Sequence, residues 1–83
     1  METIGQLVDK LTVVNIKLYH QEDIAQEPGA DDHQVAEAKR KISVLNLQRN
    51  NLIQEIDEFL ADVVSGKRPA VVFYQLKDYG GKR

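Results

Sequence analysis

Apolar residues recur at steps of three and four along two stretches of the chain, which is the spacing of one face of an amphipathic helix. The longer stretch runs from Val35 to Val63 and contains neither proline nor glycine. Its apolar stripe consists of Val35, Ala38, Ile42, Leu45, Leu52, Ile56, Phe59 and Val63, widened on one side by Ile53 and Leu60. A helix of this kind needs a partner that covers its stripe, because isolated helices are marginal in water.

A shorter stripe lies near the N-terminus. It consists of Ile4, Leu7, Val8, Leu11, Val14 and Leu18. Thr3 and Gln6, which precede most of this stripe, have the spacing of a capping box and predict the start of a helix. Pro28 and Gly29 interrupt the pattern, so we expect this helix to end near Gln26.

The second helix has its own start signal. Asp31 and Asp32 are both suited to the N-cap position, and Gln34 completes a second capping box if Asp31 is the cap. The short connection makes the two helices antiparallel neighbours. We therefore predict an all-α fold, an antiparallel helical hairpin with helices over about residues 3–26 and 32–64 and a loop over 27–31.

One antiparallel register pairs apolar residues of the two stripes along their length. The pairs are Ile4 with Ile56, Leu7 with Leu52, Val8 with Ile53, Val14 with Leu45, and Leu18 with Ile42. The same register sets Asn15 opposite Asn46. It also sets Glu22 opposite Lys39. We interpret these pairs as a polar layer that fixes the register, the alternative being a polar pocket.

Four apolar residues lie away from the two stripes. They are Val13 and Ile16 on the first helix and Val44 and Leu47 on the second. A hairpin alone cannot cover residues on its outer sides. Either the C-terminal tail wraps over one of these sides or a second copy packs there. A second copy covers the most, so we predict that two chains form a homodimer, a four-helix bundle with these four residues in the interface.

Charge along the long helix supports a dimer in which the two copies run in opposite directions. A basic cluster near the helix start consists of Lys39, Arg40 and Lys41. An acidic cluster near the helix end consists of Glu55, Asp57 and Glu58. An antiparallel pairing of two copies about Gln48 would bring the opposite charges together. The hairpin register also sets the basic cluster beside acidic residues of the first helix, Glu22, Asp23 and Glu27, and a neutralised patch is a poor phosphate binder.

Length and composition limit the class of protein. Residues 1–83 are expected to form a single domain, and the net charge of -2 argues against nucleic-acid binding. There is no cysteine, no apolar run long enough to span a membrane, and no basic-then-apolar signal at the N-terminus. A soluble cytoplasmic protein is the expectation.

Ser65 and Gly66 form a helix stop, after which the tail runs over residues 65–83. The tail contains an apolar stretch, residues 70–76, that favours an extended segment. A short helix is the alternative.

The candidate chemistry is sparse. A small-molecule site would draw on Tyr19, His20, Glu22, Asn46 and Arg49, of which Arg49 stands on the stripe opposite Leu11 and must reach solvent or an acceptor. A metal site would use His20, Asp23, Glu27 and His33, but acidic residues near a helix end and histidines near a turn are ordinary solvated features. We predict neither a metal site nor a cofactor. No phosphate loop, nucleophile elbow or catalytic triad is found, so we do not expect an enzyme.

Three segments resemble a bacterial family of unknown function. The segment over residues 9–20 begins with an acidic residue, a basic residue, Leu and Thr, and leads to Lys-apolar-aromatic-His. The other two segments cover residues 45–53 and 77–79. Members of that family are longer, and at the end of the chain Tyr79-Gly80 replaces their Tyr-Asn, so the chain resembles a shortened member. The resemblance also implies a link to surface-polysaccharide glycosyltransferases.

Two functions follow from these observations. The favoured one is a helical interaction or scaffold protein without catalytic activity, because nearly all of the chain serves as packing surface. The alternative is an accessory protein that binds a small molecule or metal, linked to glycosyltransferases by the resemblance. A protein partner other than a second copy is compatible with the first function.

Overall fold

The computed structural model describes residues 2–69 of the chain. These residues form two α-helices, α1 (Ile4–Ala25) and α2 (Asp32–Val64), which pack against each other as a hairpin. The predicted all-α hairpin is thereby confirmed. The apolar stretch of the predicted tail lies outside the described residues, as does the resembling segment over residues 77–79.

Both helices begin at the predicted capping boxes. In α1 the Gln6 amide donates to the Thr3 hydroxyl at 3.1 Å, and the Thr3 amide donates to Gln6 Oε1 at 2.9 Å. In α2 the Gln34 amide donates to Asp31 Oδ1 at 2.8 Å, and the Asp31 amide donates to Gln34 Oε1 at 3.0 Å. Each box satisfies amides that a helix start otherwise leaves without an acceptor. Asp31, and not Asp32, is therefore the N-cap of α2.

The end of α2 is a Schellman motif. Gly66 has a φ of 83°, a left-handed conformation that glycine adopts without a steric cost. The Gly66 amide donates to the Val63 carbonyl at 3.2 Å, and the Lys67 amide donates to the Asp62 carbonyl at 2.8 Å. These two bonds satisfy carbonyls of the last helical turn. The predicted helix stop at Ser65 and Gly66 is confirmed.

Arg68, which follows this motif, lies against the core. The Arg68 guanidinium lies 4.5 Å from the centroid of the Phe59 ring, which is a cation–π contact. The same guanidinium lies 3.2 Å from an Asp62 carboxylate oxygen. Arg68 thus covers one side of Phe59 at the open end of the hairpin.

The core of the hairpin is small. Five residues are buried, Leu7, Val14, Leu18, Ala38 and Phe59, and most of the remaining stripe residues are half-buried. Two residues assigned to the stripes, Val8 and Leu60, are instead exposed. Each directly follows a buried residue, and successive side chains on a helix point about 100° apart. When Leu7 and Phe59 face the other helix, their next neighbours therefore face solvent.

Three surface depressions bring residues of the two helices together in antiparallel order. Near the loop, Gln21 lines one depression with Arg40. Further toward the open end, Val14 lines a second depression with Leu52. At the open end, Leu7 lines a third with Phe59. The antiparallel order is as predicted, and the five residue pairs of the register stay a prediction.

The polar layer predicted between the helices is wrong. Asn15, Asn46, Glu22 and Lys39 are all exposed, and no hydrogen bond among residues 2–69 joins them. Each follows a residue that faces the other helix: Val14, Leu45, Gln21 and Ala38, respectively, are buried or half-buried. The four polar side chains therefore lie on the flank of the hairpin, where water satisfies them.

The capping boxes give a direct test of the hairpin's local determinants. Replacing Asp31 with alanine removes the acceptor for the Gln34 amide, and we expect the free energy of unfolding to fall by about 1 kcal/mol. Asp31→Asn is the matched control, since asparagine caps helices as well as aspartate does. Urea unfolding followed by circular dichroism at one fixed chain concentration measures both variants. An equal loss in both would mean that the charge, and not the cap, stabilises α2.

Candidate functional site

Two shallow depressions lie one after the other along one side of the hairpin between α1 and α2, and together they are called the groove here. Its half near the loop is lined by Lys17, Gln21, Arg40, Lys41, Val44 and Leu45. Its half near the open end is lined by Asp9, Lys10, Val13, Val14, Gln48, Asn51, Leu52 and Glu55. The halves lie on the same side because lining residues recur every seven positions, and such residues share a helix face. Lys41, Gln48 and Glu55 form one such series on α2.

The two halves of this groove carry opposite charge. Three cations line the loop half, Lys17, Arg40 and Lys41, and no acidic residue of the described range 2–69 joins them there. Two carboxylates, Asp9 and Glu55, line the open half together with Lys10.

The positive charge of Lys10 in the open half is compensated within the chain. The Lys10 ammonium donates a hydrogen bond to the Glu2 carboxylate. That bond and the charge of Glu2 raise the pKa of Lys10, and Glu55 adds a smaller increase. Since Glu2 balances Lys10, the open half of the groove is acidic in character.

The basic cluster at the start of α2 does not have the predicted neighbours. Arg40 and Lys41 line the groove with Lys17 and Gln21 of α1. Arg40 forms an ion pair with Glu37 of its own helix at 3.3 Å, on the surface. Within residues 2–69 no ion pair joins this cluster to Glu22, Asp23 or Glu27, the acidic residues predicted to neutralise it. Glu37 thus compensates Arg40, while Lys17 and Lys41 form no ion pair among residues 2–69 and keep the loop half of the groove positive.

The four apolar residues assigned to a dimer interface are all exposed. Their exposed fractions are 43% for Val13, 64% for Ile16, 57% for Val44 and 61% for Leu47. Val13 and Val44 line the groove, one in each half. Leu47 lies one helical turn after Val44, beside the groove. Ile16 lies outside the groove, in a separate depression on the surface of α1. The hairpin leaves them uncovered, as the sequence pattern predicted.

Of the five predicted binding residues, the structure brings two together. Tyr19 and His20 line a shallow depression on the surface of α1. The other lining residues within 2–69 also belong to α1 and are Thr12, Asn15, Ile16 and Asp23. Glu22, Asn46 and Arg49 do not line this depression and are exposed. None of the five side chains makes a hydrogen bond or ion pair within the described part of the chain. Arg49 reaches solvent, which is one of the two outcomes expected for a charge on the stripe.

Some residues at these surfaces were not expected from the sequence. Gln21 is half-buried and lines the groove, although it breaks the apolar pattern. Its spacing of three from Leu18 is the only sequence signal that places it on the packing face.

Over residues 2–69, no three His, Asp or Glu side chains gather as a metal site would require. In the same residues, neither helix is long and apolar enough to cross a membrane.

The comparisons with known proteins give one match. A family model described as "Protein of unknown function (DUF4254)" matches residues 1–72, which include both helices and the loop. No curated protein and no solved structure matches the chain. The match confirms the expectation of a family whose function is unknown.

Proposed function

The chain belongs to the DUF4254 family of proteins of unknown function, and we propose that it is a helical association module that binds a protein surface and catalyses no reaction. The observation that carries this proposal is the exposure of four apolar residues on neighbouring surfaces of the hairpin. Val13 and Val44 lie in the groove, Leu47 lies beside it, and Ile16 lies in the depression on α1. An apolar set grouped in this way is typical of a surface that another protein covers.

The energetics favour a protein as the binding partner. Burying an apolar side chain gains about 25 cal/mol for each Å² removed from water, so four large side chains left in solvent forgo a substantial stabilisation. The charged residues along the groove would surround such an apolar contact with a polar rim, as in ordinary protein interfaces.

The polar groups of the hairpin lend little support to catalysis. The Ser43 hydroxyl, a potential nucleophile by residue type, donates to the Lys39 carbonyl of its own helix at 3.2 Å. Tyr19 and His20 lie in a depression formed by one helix, where water has free access. General acid–base chemistry needs a positioned partner for the proton, and neither residue has one among the described residues.

Photocrosslinking in cells that express the full chain tests the proposal. A photoreactive phenylalanine derivative at Leu47 is expected to give a covalent adduct with a protein, either a second copy or another chain. The matched control is the same derivative at Asn46, whose side chain points about 100° away from that of Leu47. We expect little adduct at the control position. Absence of any protein adduct at Leu47, or equal adducts at both positions, would contradict the proposal.

The alternative function, binding of a small molecule or metal, has its own test. A thermal-shift screen of the purified chain with divalent metals and nucleotide sugars is expected to give no saturable change in the melting temperature. A ligand that binds only the native state would raise that temperature. A saturable rise that His20→Ala or Arg49→Ala abolishes would favour the alternative over an association module.

A further inference from the structure

We infer that the groove binds a second copy of this chain, with its α2 antiparallel to the first α2 and the two-fold axis beside Gln48. This inference rests on the proposed association function and identifies the partner surface. It is carried by the charges that line the groove and by their positions relative to Gln48.

Lys41 and Glu55 lie at equal distances from Gln48 on the groove side of α2. Each is separated from Gln48 by seven residues, so the three side chains share one helix face. Their separation along the helix axis is roughly 21 Å, at 1.5 Å per residue, which is far too long for an ion pair within one chain. Among residues 2–69, neither Lys41 nor Glu55 forms an ion pair.

A second copy turned end for end about Gln48 brings these two charges together. Lys41 then lies level with Glu55 of the partner subunit, and the symmetry repeats the pair at the other end of the interface. The rest of the groove follows the same rule, because Lys17 and Arg40 belong to the basic half and Asp9 to the acidic half. The surface is thus complementary to itself when reversed.

The apolar residues of the groove fit the same arrangement. Val44 and Leu52 line the groove and lie four residues before and after Gln48, so Val44 of one copy lies level with Leu52 of the partner subunit. The Leu47 side chain points about 100° away from that of Gln48 and borders the interface at its edge. Apolar residues near the axis with charges further out reproduce the usual anatomy of an interface, with an apolar core and a polar rim.

A different partner satisfies fewer of these features. An acidic amphipathic helix of another protein would complement the basic half of the groove, but it would place like charges against Asp9 and Glu55. A basic helix would have the opposite defect. The reversed second copy complements both halves, and we therefore assign the groove to it.

A charge exchange between two variants tests this inference. Lys41→Glu and Glu55→Lys each set like charges opposite one another in a homodimer, so each is expected to raise the dimer Kd by about 10- to 100-fold. An equimolar mixture restores both pairs, because every contact then joins one acidic and one basic chain. Sedimentation velocity should show monomers for each variant alone and dimers for the mixture. No contact within one chain can be rescued by mixing.

The matched control is the pair Lys39→Glu and Asp57→Lys, which makes the same charge changes on the other side of α2. These residues are also equidistant from Gln48, so a second copy packed on the opposite flank would respond to them instead. Circular dichroism of every variant checks that the helices are retained. The inference would be overturned if both groove variants dimerised at wild-type strength or if their mixture failed to associate. It would also be overturned if the control variants were monomeric alone and dimeric when mixed. A monomeric wild-type chain that still crosslinks to another protein through Leu47 would overturn it and leave the association function standing.

Discussion

Replacing Phe59 with alanine is expected to unfold a large fraction of the chain at room temperature. Phe59 is 3% exposed and is the largest of the five residues that are buried within 2–69. Truncating a buried phenylalanine to alanine costs about 3 to 5 kcal/mol, through lost burial and the cavity that remains. The whole stability of a small domain is about 5 to 15 kcal/mol, and so small a core favours the lower end. The substitution also removes the ring that the Arg68 guanidinium covers.

Leu60→Ala is the matched control for this substitution. Leu60 is the next residue along α2, yet it is 48% exposed because it faces away from α1. Its truncation is expected to cost about 1 kcal/mol or less. Urea unfolding at one chain concentration, followed by the helical signal in circular dichroism, compares both variants with the unmodified chain. Similar losses for the two variants would contradict the assigned core.

Leu47→Glu is expected to dissociate the dimer without unfolding the hairpin. Leu47 borders the inferred interface next to Gln48, so the substitution places a carboxylate beside its apolar contacts in both copies. We expect this charge to raise the dimer Kd by about 10- to 100-fold. Because Leu47 is exposed in the hairpin, the helices lose no packing within one chain.

Asn46→Glu is the control for this second substitution. It adds the same charge one residue away, on a side chain that points about 100° from Leu47 and is already exposed. Sedimentation velocity should give a weakened dimer for Leu47→Glu and a dimer of nearly normal strength for Asn46→Glu. Equal effects of the two substitutions would indicate that net charge, and not the location of the interface, determines association.

The features that the sequence predicted correctly are those that neighbouring residues determine. The two capping boxes, at Thr3 and Asp31, depend on residues three positions apart, and both form. The helix stop at Gly66 depends on a conformation that glycine adopts without strain. Local signals of this kind are visible in the sequence because the interacting groups are close along the chain.

The relative placement of the two helices could not be derived with the same accuracy. Several pairings of two apolar stripes satisfy the hydrophobic pattern, and they differ by a rotation or a shift that apolar side chains tolerate. Val8 and Asn15 were therefore assigned to the packing face, whereas the structure exposes both. Leu7 precedes Val8 and Val14 precedes Asn15, and both preceding residues are buried. Their burial turns Val8 and Asn15 toward the side of the hairpin.

The candidate site depended on this placement and was therefore predicted only in part. The sequence predicted that four apolar residues away from the stripes would be exposed, because any packed hairpin leaves its outer sides open. These residues are Val13, Ile16, Val44 and Leu47. The groove could not be predicted from the sequence. Lys17 and Lys41 line it together, and whether they do so depends on the angle at which the two helices pack. The contact of Arg68 with Phe59 was missed because it needs the chain reversal at Gly66.

Sedimentation equilibrium of the unmodified chain at micromolar concentration tests the central claim most directly. One chain has a mass of 9.4 kDa, so monomer and dimer are easily distinguished. If the hairpin is an association module whose groove binds a second copy, the measured mass will be that of two chains and will fall toward that of one chain on dilution. A mass of one chain throughout the micromolar range would contradict the account.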